Sequence, residues 1–332
     1  MLIFISLFWI LFTFINSDSP YNWNRFHLIQ FKNITFAIQI LELILMKFIP
    51  LIADNWKMDG GVAFGVVPKS IWSKTHQADE NNAISITTRC LLIIQNDRKI
   101  LIDTGLGDKR NEKYYAVRFR EPGISILNSL KQAGYAASDI TDVLFTHLHD
   151  DHVGAATRND ENGNAICVFE NAGYWVSKLQ WDWAMFPNKR EGAAFFKDNL
   201  VPLMDSGRLN LLEEGQQPFD GITLKIFNGH TRGQIIPFIE TGDHTVVYMG
   251  DFIPTQSNIP IPFIPSVDIE PLISLTEKEA FLQEVAERNY ILFFEHDATN
   301  ECCKVIKTEK GVIADYSFKL QDMLETTAPF NS

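Results

Sequence analysis

Apolar positions along the chain follow two different periods. From Ile84 to Gln95 they alternate with polar residues and then run without a break, which predicts a strand buried on both faces. Lys99 to Asp103 follows the turn pair Asn96-Asp97, so these two runs form a hairpin. Val62 to Val67 is a short apolar run behind Gly60-Gly61 and predicts a strand leaving a turn. Asp142 to Thr146, Tyr174 to Ser177, Ile222 to Phe227, His244 to Met249 and Ile291 to Phe294 read as further short strands. Helical spacing occupies Ile124 to Ala133, which Gly134 stops, and the aromatic-rich stretch Leu179 to Leu200. It returns from Thr276 to Asn289, where Thr276 and Glu279 make a capping-box pair ahead of Phe281, Leu282 and Val285. Strands early and late, with helices between them, predict a layered α/β protein with sheets inside and helices outside.

The first 45 residues do not share this pattern. Met1 to Asn16 carries no charged side chain, which fits a signal-peptide core ending near Ser17 or a short membrane anchor. A second apolar run, Ile34 to Ile52, is interrupted by Glu42 and Lys47 and makes a poor spanning helix. A third reading starts the catalytic chain at Met46, where the sequence resumes as the opening of a cytosolic enzyme. That reading is adopted: 1–45 as a hydrophobic extension and 46–332 as the main domain. It places the catalytic domain in the cytoplasm, with secretion, anchoring or membrane contact arising only through residues 1–45.

Composition narrows the chemistry. A formal net charge of −12 over 332 residues argues against nucleic acid, whose binding requires Lys and Arg to neutralise phosphate. It suits a small-molecule substrate. The four cysteines, Cys90, Cys167, Cys302 and Cys303, form no CxxC, which speaks against a thiolate zinc site and for reduced thiols.

Three of the 8 histidines fall within six positions, as His147-x-His149-x-Asp151-His152. Two imidazoles two residues apart at a strand end can bind one metal ion, and the next turn offers a carboxylate and a third imidazole to another. His230, Asp251 and His296 each come just after a predicted strand, and residues at strand C-termini converge on one edge of a sheet.

With these residues in place, the chain resembles the metallo-β-lactamase fold superfamily from about Met46 to about Phe318. The superfamily's HxHxDH signature stands here as His147, His149, Asp151 and His152. The resemblance implies a four-layer αβ/βα sandwich, with two mixed β-sheets inside and helices outside. It implies two divalent metal ions, zinc by preference. His147, His149 and His230 would hold the first, Asp151, His152 and His296 the second, and Asp251 would bridge them. Asp151 would also carry the proton to the leaving group. Asp103, in Leu101-Ile102-Asp103-Thr104-Gly105, reads equally as a partner that orients a ligand histidine or as a polar strand-end turn.

A bridging Asp251 is similar to that of hydrolases rather than β-lactamases. Asp59 to Lys69 and Gly250 to Thr255 resemble the quorum-quenching lactonase branch, with the methyl parathion hydrolases nearby. This implies a metal-bridged hydroxide acting on ester-type bonds, above all a lactone such as an N-acyl homoserine lactone. The alternatives are a phosphotriesterase-like or glyoxalase II-like thioester hydrolase; the complete ligand set speaks against a non-enzymatic binding relative. The expected partner is a small ester or lactone, and a homodimer is compatible with the resemblance. Pro254 departs from the lactonases, which place a Tyr there. Trp175, Trp181, Trp183 and Phe186, each alone best read as core, are expected as a cluster to touch substrate.

Overall fold

A computed structural model describes residues 46–326; the hydrophobic extension expected at 1–45, with its signal or anchor reading, lies outside them. The strands are β1 (Lys47–Asp59), β2 (Ala83–Gln95), β3 (Arg98–Ile102), β4 (Asp142–Leu144), β5 (Thr157–Asn159), β6 (Ala165–Cys167) and β7 (Gly173–Ser177). There follow β8 (Leu209–Leu212), β9 (Ile222–Phe227), β10 (Gln234–Thr241), β11 (His244–Tyr248), β12 (Ile291–Phe293), β13 (Cys302–Thr308) and β14 (Gly311–Phe318). The helices are α1 (Gly60–Phe64), α2 (Lys69–Trp72), α3 (Glu112–Ala116), α4 (Ile126–Gln132) and α5 (Asp150–Val153). The longer α6 (Lys178–Met185), α7 (Lys197–Asp205) and α8 (Pro271–Arg288) precede a final α9 (Leu320–Thr326).

Two six-stranded mixed sheets result, ordered β1-β2-β3-β4-β7-β8 and β14-β13-β12-β11-β10-β9. Their facing sides share one apolar layer, in which Leu91, Ile93, Ile100 and Ile102 of the first sheet meet Ile235, Val246, Tyr248 and Phe293 of the second. The outer side of the first sheet packs on Ile126 and Leu130 of α4, Trp181 of α6 and Leu200 and Leu203 of α7. That of the second packs on Phe281, Leu282 and Val285 of α8. Burial on both faces explains why β2 reads as a nearly continuous apolar run. The adjacent Cys302 and Cys303 point to opposite faces of β13, one into each layer, and all four cysteines are free. The expected αβ/βα sandwich is therefore the fold. Among the described residues, no helix is long and apolar enough to cross a membrane.

Three local expectations are corrected. Val62 to Val67 does not form a strand: Gly60–Phe64 is helix α1, whose free Gly61 and Val62 N–H groups are capped by the Asp59 carboxylate. Thr276 does not start α8. Pro271 does, its ring suited to the first helical turn, and the Thr276 hydroxyl bonds back to the Leu272 carbonyl inside the helix. Leu179 to Leu200 is not one helix; α6 ends at Met185 and α7 begins at Lys197.

Lys278 on α8 is buried, and its ammonium donates to the carbonyls of Pro260 and Phe263, at 2.9 and 3.1 Å. Burial pulls its pKa down to about 7. A lysine depressed in the folded state binds its proton more readily unfolded, so its charge costs stability most fully below pH 7, and that cost is lifted as pH rises towards the unfolded value. Between pH 7 and 9, wild-type stability should rise relative to Lys278→Met by about 1–2 kcal/mol, read from urea melts at both pH values. A flat difference would contradict this burial argument.

Candidate metal centre

Five histidines and two aspartates meet where the two sheets' strand ends come together. His147 and His149 follow β4, and one-turn helix α5 presents Asp151 and His152. His230 lies in the β9–β10 connection, Asp251 follows β11 and His296 follows β12. Gly250 precedes Asp251 at φ 46°, a left-handed conformation that glycine adopts without strain. Gly229 lets the His230 loop close on α8, since a Cβ there would stand 2.4 Å from the Ser274 backbone. All seven ligand candidates named from the sequence are brought to this one place.

Each imidazole turns one nitrogen outward to a partner. His149 Nε2 meets Glu191 Oε1 at 2.9 Å, and His152 Nδ1 meets Asp103 Oδ2 at 3.0 Å. His230 Nδ1 meets Asp268 Oδ1 at 2.9 Å, and His296 Nδ1 meets the Thr87 carbonyl at 2.7 Å. These oxygens only accept, so the ring proton sits on the outward nitrogen. The Thr146 hydroxyl donates to Asp103 Oδ2 at 2.6 Å, so it accepts from His147 Nδ1 at 3.0 Å. Asp103 thus orients His152 directly and His147 through Thr146, which decides its role in favour of the orienting partner.

The inward nitrogens are then lone-pair donors, and they face one another. His149 Nδ1 lies 3.0 Å from His147 Nε2 and 3.1 Å from His230 Nε2. His152 Nε2 and His296 Nε2 are 3.4 Å apart. Asp251 reaches both groups: Oδ2 is 3.2 Å from His230 Nε2 and Oδ1 is 2.8 Å from His296 Nε2. Asp151 lies on the second side, 3.7 Å from His152 Nε2 and 3.8 Å from His296 Nε2. Lone pairs this close repel unless a positive charge stands between them. Nothing in the protein donates to Asp251 Oδ1 among the described residues.

Electrostatics express the same demand. Burial, and then the neighbouring imidazoles, push His147 well below the ordinary histidine range, and burial likewise lowers His149. Burial also opposes charge on His296, yet Asp251 outweighs it and pushes that ring up to about 9. The Asp251 carboxyl, despite burial, is held well below its usual range by His296, His152 and His230. Either protons or cations can satisfy such a site, and the donor set fits two cations. Donor atoms of His147, His149, His230 and Asp251 lie within 4.8 Å of one another, as do those of Asp151, His152 and His296. Asp103 and Glu295 flank the outward nitrogen of His152, Glu295 at 3.3 Å, and so stand behind the ring rather than in the centre.

Glu191 and Asp268 were not singled out from the sequence. Glu191 accepts from Trp183 Nε1 at 2.6 Å and Asn188 Nδ2 at 3.2 Å, and from the Thr231 hydroxyl. Ser274 donates to Asp268 at 2.5 Å. Glu191→Gln should weaken metal binding by about 10- to 100-fold, measured by competition with a chromogenic chelator, because the amide is a poorer acceptor for His149. An unchanged affinity would remove Glu191 from this role.

The expected aromatic cluster comes apart. Trp175 packs between the sheets against Phe219 and bonds to Asp142, and Trp181 is buried in the core beneath α6. Trp183 braces Glu191, and Phe186 is 87% exposed. The tetrad is not one wall, because its members leave β7 and α6 in different directions. Among the described residues, the aromatic ring nearest these histidines is instead Phe195, centred 4.9 Å from His149.

Known proteins share this architecture. A structure from Staphylococcus aureus, described as a probable metal-dependent hydrolase, superposes with a TM-score of 0.74 at 30% identity, covering 82% of this chain and 98% of that one. AidC, a dizinc quorum-quenching lactonase solved with a product, superposes at 0.68 and 22% identity, covering 83% and 96%. An N-acyl homoserine lactonase of Bacillus thuringiensis is 25% identical over 234 residues, 67% of this chain and 86% of its own length. That of Bacillus cereus is 24% identical over 236 residues, 68% and 87%. Residues 87–296 match the family model described as the metallo-beta-lactamase superfamily, and with the sandwich and its converging histidines this makes the chain a member of that superfamily.

Proposed function

We propose that this protein is a dinuclear zinc hydrolase that opens ester-type bonds, with a lactone such as an N-acyl homoserine lactone as substrate. The observation that carries the reading is the inward convergence of two carboxylates and five imidazole lone pairs, each ring braced at its outward nitrogen. His147, His149 and His230 would hold one ion, Asp151, His152 and His296 the other, and Asp251 both. A nitrogen-rich set with carboxylates suits zinc. The ions, when bound, supply a water that ionises near neutral pH and a Lewis acid for a carbonyl oxygen. Asp251 and the braced imidazoles keep that geometry rigid. Asp151 is partly open to solvent, its side chain 14% exposed, and would hand a proton to the leaving group. The hydrolase domain is assigned to residues 46–332.

Relatives named as lactonases support the substrate class. One observation favours phosphotriesters as a second reading. Pro254 stands where lactonases carry a Tyr, so this position offers no hydroxyl to a lactone, and its carbonyl accepts from His296 N at 3.1 Å. Metal analysis of the full chain, with kcat/KM on matched lactones, thioesters and phosphotriesters, decides between them. The lactone should lead by at least tenfold. A protein without bound metal and without turnover on any member would defeat the proposal.

A further inference from the structure

We infer that Arg118 selects the substrate, by giving hydrogen bonds to an amide or carboxylate oxygen that lies beside the bond to be broken. This rests on the hydrolase reading of the site. Arg118 closes the turn after α3, where its carbonyl accepts from Lys57 N at 2.7 Å and fixes it against β1. Its guanidinium lies 3.8 Å from the centre of the Tyr114 ring, and Nη1 donates to the Tyr114 carbonyl at 3.3 Å. Nη2 stops 3.6 Å from Asp150 Oδ2, close enough for ionic attraction and too far for a hydrogen bond. Asp150 directly precedes Asp151, whose charge also acts on the guanidinium. Arg118 therefore stands at the Asp151 side of the metal centre.

Most of its donors are unspent. Among the described residues only Nη1 has an acceptor, and the side chain is 29% exposed. Other buried or half-buried arginines are committed. Arg89 donates to two carbonyls, Arg98 forks onto both Asp142 oxygens, and Arg120 bonds to Asp54 and the Gly107 carbonyl. A guanidinium resting over an aromatic ring, with N–H groups left without acceptors next to the segment that carries Asp151, suits bidentate recognition of an oxygen acceptor. The Tyr114 ring lies against the guanidinium, and Asp150, 3.6 Å away, takes none of its hydrogens.

The experiment uses the zinc-loaded full chain as wild type, Arg118→Gln and Arg118→Lys, with metal content measured for each. N-hexanoyl homoserine lactone, which carries an amide, is compared with γ-decalactone, which does not. N-hexanoylglycine, a carboxylate that cannot be hydrolysed as an ester, is titrated calorimetrically. Arg118→Gln should lose about 10- to 100-fold in kcat/KM on the amide lactone, mostly through KM, at least tenfold more than on γ-decalactone. Arg118→Lys should recover part of the loss. An amide oxygen as the ligand predicts this lactone difference, and a carboxylate predicts weakened N-hexanoylglycine binding. Equal loss on both lactones, or no loss, with unaltered N-hexanoylglycine binding, overturns the inference; metal loss in Arg118→Gln would reduce Arg118 to a counter-charge for Asp150 and overturn it too. If wild type opens neither lactone yet binds N-hexanoylglycine in an Arg118-dependent way, the substrate reading falls and the inference stands.

Discussion

Asp251→Asn will cost the protein at least one of its metal ions and nearly all of its turnover. Asp251 is the residue that reaches both histidine groups, with Oδ2 3.2 Å from His230 Nε2 and Oδ1 2.8 Å from His296 Nε2. Asparagine keeps the shape but removes the shared negative charge, and its amide hydrogens would face ring nitrogens whose lone pairs should meet a cation. Metal content should fall from about two ions per chain to one or fewer, and kcat/KM by at least about a thousandfold. Dialysis against a chelator should have the same effect on the wild type. It should also lower Tm, because an ion that binds only the folded state stabilises it by mass action. Removal should be easier in mildly acid buffer, where protons compete for the same imidazoles. Two ions per chain with turnover near wild type would show that Asp251 bridges nothing.

The ligands were legible because of where strands end. His147, His149, Asp151 and His152 announce themselves by spacing, and His230, Asp251 and His296 by following apolar runs that could only be buried strands. The braces were less visible. Glu191 lies 42 residues beyond His149 in a loop, and Asp268 lies 38 beyond His230. No local pattern distinguishes either from a solvated acid, because only the tertiary fold brings them back. Thr87 braces His296 through its backbone carbonyl, which carries no side-chain signal at all. The misread segments have a different cause. Gly60–Phe64 has strand-like apolar content, but Asp59 caps its first turn, and Trp72 lies against Gly60 where any side chain would clash. There, packing and a cap outweighed propensity.

The same long-range logic makes Arg89 the residue whose loss should damage the fold most. It sits in β2 of the first sheet, is 3% exposed, and reaches across to the segment that carries His296. Nη1 donates to the Phe294 carbonyl at 2.5 Å and Nη2 to the Asp297 carbonyl at 2.8 Å. Its own N–H donates to the Glu295 carbonyl at 2.9 Å, and its carbonyl accepts from the Tyr248 hydroxyl at 2.9 Å. Glu301, 3.9 Å away, is the nearest counter-charge. Burial lowers the Arg89 pKa, an opposing cost that these acceptors and Glu301 offset. Arg89→Ala would leave two buried carbonyls without donors, a cavity between the sheets and Glu301 short of a partner. Such losses cost about 3–5 kcal/mol when one partner of a buried charged network is removed. For a domain of this size that corresponds to a fall in Tm of roughly 10 °C. The melt is best run on metal-free protein, so that weakened binding at His296 does not add to the effect. Arg89→Met, which fills the space, should recover part of the loss while leaving the carbonyls unmet. His296 depends on the same seam, since its Nδ1 bonds to Thr87 O of β2, so metal affinity should fall in both variants even where the fold survives. A Tm within about 2 °C of wild type in Arg89→Ala would mean that the sheets are held by their apolar layer alone, and that this arginine is only a passenger in it.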